Sequence, residues 1–235
     1  MPDKYEFHAI AKMESDFTDK FGIPRQSGLV PELRSTIVFE PEYRDINAVR
    51  GLESYSHIWI IWLFSKSVRE NWSPTVRPPR LGGNQRMGVF ATRSPFRPNP
   101  VGLSCVKLES IEYSDKRGPL LHVSGADLLD GTPILDIKPY VPYADLISDA
   151  AAGFTSMNSD YRLYVEDPNN LLCKLPEDRR DALLGVLSQD PRPAFQHDPE
   201  RVYSMSFAGY EVAFSVSEQN LTILRISSDN KKQEE

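Results

Sequence analysis

The chain has 235 residues, 40% hydrophobic and 26% charged, the make-up of a globular protein with room for one large domain or for a domain with an appendage. Its formal net charge of −6 excludes a protein that binds nucleic acid through its overall charge. Two cysteines, Cys105 and Cys173, make neither a disulfide framework nor a CxxC zinc pair, and point to a reducing, cytoplasmic compartment. The average charge hides an asymmetry. Residues 71–108 contain no Asp or Glu but hold Arg77, Arg80, Arg86, Arg93, Arg97 and Lys107, a local +6 against −12 for the rest. A basic patch on an acidic protein is a better guide to an anionic partner than the net charge is. The N-terminus lacks the apolar core of a signal peptide, and the most apolar run, 58–64, is too short to span a bilayer.

In chain order, 7–13 and 35–39 have strand composition, separated by a Gly/Pro-punctuated loop over 21–28. One or two helical turns are expected in 48–54. The run 57–64 is apolar on both alternating sets, which predicts a strand covered on both faces. Three prolines and two glycines keep 73–83 out of a helix or central strand. Strands are expected at 87–92, 101–113, 120–126 and 134–138, with a stiff proline loop over 93–100 and turns at 117–119 and 130–133. Short strands, frequent turns and little helix predict a closed barrel or a sandwich. After Tyr140 the pattern changes: 142–170 reads as irregular, a helix follows Pro176 over 177–188, and 202–207, 210–216 and 221–226 read as a three-stranded meander turned at Gly209 and Asn220. The last residues, from Asp229, form a polar tail.

Three segments have the residue types of a site. Arg77-Pro-Pro-Arg80 followed by Gly82 and Gly83 combines planar donor forks with prolines that fix their direction. Arg93 to Pro100 places two arginines, Phe96 and three prolines at a strand end, a pattern suited to a carboxylate, a phosphate and a stacked base. Asp127-Leu-Leu-Asp130 sets two carboxylates at a sharp turn, open to a metal, an acid–base pair, or acceptors for hydroxyl or ammonium groups. His8, His57, His122 and His197 show no metal-ligand spacing, so no metal is expected. No GxGxxG, GxSxG, HExxH or Walker loop occurs, which argues against a Rossmann-type cofactor site.

Taken in register, Ile23-Pro-Arg-Gln26, Ala48 to Glu53, Ser56-His-Ile-Trp59, Thr75 to Asn84, Gly88 to Ser94 with Arg97-Pro-Asn-Pro100, Asp127 to Pro133, Asp136 to Tyr140 and Gln189 to Pro193 resemble the bacterial TrmO family, also called TsaA-like. The resemblance covers nearly the whole chain, most weakly from 142 to 188. It implies methyl transfer from S-adenosylmethionine to N6 of threonylcarbamoyladenosine beside the anticodon of tRNA. It further implies a mainly β protein: a β-barrel cofactor domain over 1–142, a linker over 143–160 and a smaller α+β C-terminal domain over 161–235. The family forms homodimers with cofactor pockets near the subunit interface. Carried over residue by residue, cofactor contacts fall on Pro24, Arg25 and Gln26, on His57 and Ile58, on Arg93 and Leu103, and on Asp127, Leu128, Leu129 and Asp130; family members usually have Val where Leu129 stands. Arg77, Arg80, Arg86 and Arg97 remain for the tRNA phosphates.

A sulfonium donor requires alignment of sulfur, methyl and nitrogen and the exclusion of water, with no covalent enzyme intermediate. Asp127 or Asp130 is expected to orient the cofactor's amine or ribose, with no indispensable base. Two competing readings use the same loops: a non-enzymatic RNA-binding β-barrel, and a methyltransferase for a small acceptor. The width of the acid-free arginine segment weighs against the second.

Overall fold

The computed structural model describes residues 5–78, 85–158, 161–193 and 198–229. Arg80, Gly82, Gly83, His197 and the tail from 230 onward lie outside that set. Six strands close into a barrel: β1 (Ala11–Glu14), β2 (Arg34–Phe39), β3 (His57–Leu63), β6 (Val101–Ser114), β7 (Gly118–Ser124) and β8 (Pro133–Pro139). Around the barrel the order is β1-β2-β7-β6-β3-β8, and every neighbouring pair is antiparallel. Closure leaves no unpaired sheet edge.

The period-2 patterns decide which side chains fill the barrel. In β6 the even residues from Gly102 to Leu108 point in and Val101, Leu103 and Lys107 point out. In β3, Ile58, Ile60 and Trp62 are buried while His57, Trp59, Ile61 and Leu63 are half-covered, so the outer face is only partly shielded. Each fully buried Ile contributes roughly 1.5–3 kcal/mol. Trp62 lies over Gly102, where a Cβ would fall 2.3 Å from the indole ring. Gly102 thus makes the room that the largest core side chain needs. The indole N–H donates to Ser104 Oγ at 3.0 Å, which meets the requirement of a buried polar handle.

A two-strand hairpin, β4 (Thr75–Val76) and β5 (Met87–Gly88), forms a separate sheet flanked by Arg77 and Arg86. The strand expected over 87–92 is only two residues long. It passes into a 3-10 turn, Val89–Ala91, closed by Thr92, whose N–H and hydroxyl both donate to Val89 O.

The C-terminal part begins after a single helical turn, α1 (Pro142–Asp145). Its sheet has four strands, β10 (Tyr203–Phe207), β11 (Tyr210–Ser217), β12 (Asn220–Ser228) and β9 (Tyr164–Glu166). The meander is present, and β9 adds a parallel partner to β12 that three residues from the irregular stretch could not announce. Helix α2 (Glu177–Ser188) buries Ala182, Leu183, Val186 and Leu187 against this sheet. The same core takes Phe17, Val30 and Leu33 from the N-terminal end, so the loop before β2 is shared between both parts. Gly185 lets α2 approach Val30, whose Cγ1 stands 2.6 Å from where a Cβ would sit. Arg179 Nε of α2 pairs with Asp16 Oδ2 at 2.9 Å. Burial raises the Asp16 carboxyl above its usual range, against the lowering charge of Arg179.

Candidate functional site

The site is built where the loop before β2 crosses the end of β7. Gly28 N–H donates to Gly125 O at 2.8 Å, and Gly125 N–H to Leu33 O at 3.0 Å. Both glycines have positive φ, +78° and +74°, and a Cβ on Gly125 would lie 3.3 Å from Gly28 Cα. Two residues without side chains therefore allow the loop to lie on the strand end. This crossing sets residues 24–27 beside the turn that starts at Asp127.

That turn is clamped from two sides. Leu128 is fully buried in the barrel core, while Leu129 packs against the C-terminal core. Ser15 Oγ donates to Leu128 O at 2.8 Å, Ser15 N–H to Asp130 Oδ1 at 3.0 Å, and Asp130 N–H to Phe17 O at 2.8 Å. The two carboxylates consequently face different partners. Asp130 is exposed and occupied with the Ser15 backbone, a turn-holding role. Asp127 reaches the barrel mouth, where Ser104 Oγ–H donates to its Oδ1 at 2.6 Å. A relay runs from Trp62 through Ser104 to Asp127. Burial pushes the Asp127 carboxyl above its ordinary range, opposed by the Ser104 hydroxyl, its own backbone, the charge of Arg93 and a backbone hydrogen bond from Ser27.

Arg93 Nη1 donates to Gln26 Oε1. Gln26 Nε2 in turn donates to Arg25 O at 2.5 Å. The structure thus unites Gln26, Arg93 and Asp127, from three separated segments, with Pro24 buried and Arg25 exposed on the same loop. Ser27, Ser104 and Trp62 belong to this cluster, and the motif reading missed them. Nothing in a strand's alternation marks Ser104 as special except that a hydroxyl falls on an inward position.

The other expected site residues lie elsewhere. Ile58 and Leu128 bury their side chains completely, leaving only their backbone for a ligand. His57 and Leu103 lie on the outer face of the barrel, Leu103 55% exposed. The His57 ring is beside Tyr140, centroids 6.3 Å apart, with Nδ1 2.9 Å from Ser56 Oγ. Arg77 and Arg86 are exposed at the end of the β4–β5 hairpin where its connection begins, Arg86 Nη1 donating to Thr75 Oγ1 at 3.3 Å. Arg97 is half-buried and donates to Thr92 O at 3.1 Å, so it also braces the loop that carries Arg93. Phe96 is covered on one face by the Arg69 guanidinium, 3.8 Å from the ring centre.

Barrel, clamped turn and mouth cluster define a β-barrel protein with a polar candidate ligand site at the barrel mouth. The profile of the tRNA-methyltransferase O N-terminal domain matches residues 12–146, and that of the TrmO C-terminal domain matches residues 170–229. The chain belongs to the TrmO family of tRNA methyltransferases. A tRNA (adenine(37)-N6)-methyltransferase of Escherichia coli K12 is 38% identical over 230 residues, which cover 94% of this chain and 97% of that one. A Pseudomonas aeruginosa chain provisionally described as an S-adenosylmethionine-dependent methyltransferase is 41% identical over 83% of this chain and 86% of its own. A crystal structure of TrmO from Pseudomonas aeruginosa superposes with a TM-score of 0.79 at 33% identity, covering 97% of this chain and 99% of that one.

Proposed function

We propose that the protein transfers the methyl group of S-adenosylmethionine to N6 of threonylcarbamoyladenosine at position 37, beside the anticodon of tRNA. The observation that carries this reading is the Gln26–Arg93–Asp127 cluster at the barrel mouth, in a family whose relatives are named for that tRNA position and for that cofactor. The donor set fits the cofactor: a guanidinium for a carboxylate, an amide side chain, and a part-buried carboxylate for an ammonium or ribose hydroxyl. When bound, S-adenosylmethionine supplies an electrophilic methyl carbon.

The chain's own residues do the rest. Arg93 and Gln26 hold the polar end of the ligand, and Asp127 orients it from the barrel side. The relay from Trp62 and Ser104 keeps the Asp127 carboxyl in one rotamer, and pre-set geometry is what an in-line displacement needs. Burial around Asp127 excludes water, and the raised carboxyl pKa makes it a better proton acceptor than an exposed Asp. Arg77, Arg80, Arg86 and Arg97 serve the tRNA phosphates, with Arg97 also positioning Arg93.

We place the cofactor domain at 1–142 and the C-terminal domain at 161–235, joined through 143–160. Two further features belong to the same reading. The exposed apolar side chains of Val101, Leu103, Leu146 and Ile147 suit burial against a second copy in a homodimer. The protein works in the cytoplasm, where its tRNA is. Mass spectrometry of tRNA nucleosides tests the function: cells lacking the gene are expected to lose the N6-methyl group while keeping threonylcarbamoyladenosine. Retention of the methylated nucleoside contradicts the assignment.

A further inference from the structure

Beside the mouth cluster lies a concavity of about 270 Å³, walled on one side by residues 20–25 and on the other by the C-terminal loop 189–193. Its lining sets the rings of Phe21, Pro24, Pro191 and Pro193 beside the cations Lys20, Arg25 and Arg192 and the single acid Asp190. The C-terminal wall is preformed. Helix α2 ends with Gln189 N–H on the carbonyls of Val186 and Leu187, and Asp190 takes φ +54°, a conformation that turns the chain sharply. The Arg192 guanidinium, 6% exposed, then grips the Asp190 carboxylate through both oxygens at 2.8 and 2.9 Å. The opposite wall is tied down as well. Lys20 Nζ donates to Lys66 O at 2.7 Å and to Ser67 Oγ at 3.0 Å, and the Phe21 ring lies nearly parallel to Phe214 at 6.5 Å. A slot with rigid walls loses little conformational freedom when it is filled.

We infer that this slot holds one unpaired base of the anticodon loop, next in sequence to the methylated adenosine, with its phosphate on the cationic rim. The inference rests on the proposed tRNA function. RNA loops are read by splaying bases against aromatic and apolar planes while cations take the backbone. The slot offers both features and shares Pro24 and Arg25 with the loop that carries Gln26, so a base in the slot and a neighbouring adenosine at the mouth are held by one rigid segment. The C-terminal part would thereby gain a role in the reaction: it supplies half of the slot.

The test uses the full-length protein and a short anticodon stem-loop RNA carrying threonylcarbamoyladenosine, intact or with an abasic nucleotide on either side of the target. One abasic position is expected to lower kcat/KM about tenfold, the size of one lost base–aromatic stack. Phe21→Leu should impose a similar loss on intact RNA and almost none on that abasic RNA, while Phe21→Tyr keeps wild-type values and cofactor affinity stays unchanged in all three proteins. Losses that multiply independently, or a Phe21→Leu protein with weakened cofactor binding, overturn the slot assignment. Lys20→Ala, at an exposed position, provides a second arm: the salt dependence of RNA binding should flatten by about one counterion, and an unchanged slope removes the rim. A wild-type protein that methylates no stem-loop contradicts the function itself, which separates the two failures.

Discussion

Asp127 illustrates how much one residue depends on its neighbours. In sequence it is one of two acids at an Asp-Gly-containing turn, equal in type to Asp130. In the fold, Asp130 accepts the Ser15 N–H, whereas Asp127 meets Ser104, Ser27 and the field of Arg93. Asp127→Asn keeps the shape and the Ser104 acceptor but removes the charge. Calorimetry is expected to find S-adenosylmethionine binding weakened about tenfold, roughly 1.4 kcal/mol, and an unchanged Kd would dismiss Asp127 as an orienting group. Stability should not fall in the variant. Because burial raises the wild-type carboxyl, its favourable contribution is complete below the unfolded pKa and is lost as pH rises through the folded one. Glu109 behaves in the opposite sense. A bulge in β6 after Leu108 presents it to Lys107, Ser124 and Arg34, which lower its pKa from 4.5 to about 2. Its contribution is present above pH 4.5 and lost as pH falls towards 2. In acid-unfolding curves, Glu109→Gln should flatten that window by no more than about 1 kcal/mol, since the group remains partly solvated.

At the scale of elements, glycine positions decide how close two segments come. Gly185 looks like a weakness inside α2, and Ala there would gain about 1 kcal/mol of helix propensity. Its Cβ, however, would fall 2.6 Å from Val30 Cγ1, and overpacking costs about 1–3 kcal/mol. Gly185→Ala is therefore expected to lower the thermal midpoint, and adding Val30→Ala to relieve the clash, so that the pair is less damaging than the sum of the two single changes. Strict additivity in a double-mutant cycle would show that the contact is not close. The crossing of Gly28 over Gly125 follows the same logic and brings Gln26 to Arg93. The apolar run of β3, the alternation of β6, the helix after Pro176 and the three-stranded meander were legible because each is a local pattern. Strand β9 was not, since three residues carry no period and gain their partner, β12, from the fold.

Across the whole molecule, the acid-free segment separates into two roles. Arg77 and Arg86 stand exposed on the hairpin, and Arg93 and Arg97 are bonded within the mouth. Filter-binding titrations against salt should show the slope for tRNA falling by about one for Arg77→Ala and for Arg86→Ala, with cofactor affinity retained. Arg97→Ala should instead weaken cofactor binding too, because it releases Thr92 O beside Arg93. An Arg97→Ala protein with normal cofactor affinity would return that arginine to the phosphate group. The two cores are joined through the turn 127–130, with Leu128 in one and Leu129 in the other, so the site lies at the junction of both parts.

The sequence by itself determined the short strands of a barrel or sandwich, the position of α2, the charge asymmetry and the family motifs that imply the barrel, because alternation, capping and short motifs are written in consecutive residues. Tertiary structure decided which members of those motifs come together. Gln26, Arg93 and Asp127 are separated by tens of residues, and only barrel closure and a glycine crossing bring them to one mouth. Ser104 and Trp62 entered the site for the same reason: an inward-facing hydroxyl and an indole gain meaning from what lies across the barrel, which no local pattern records.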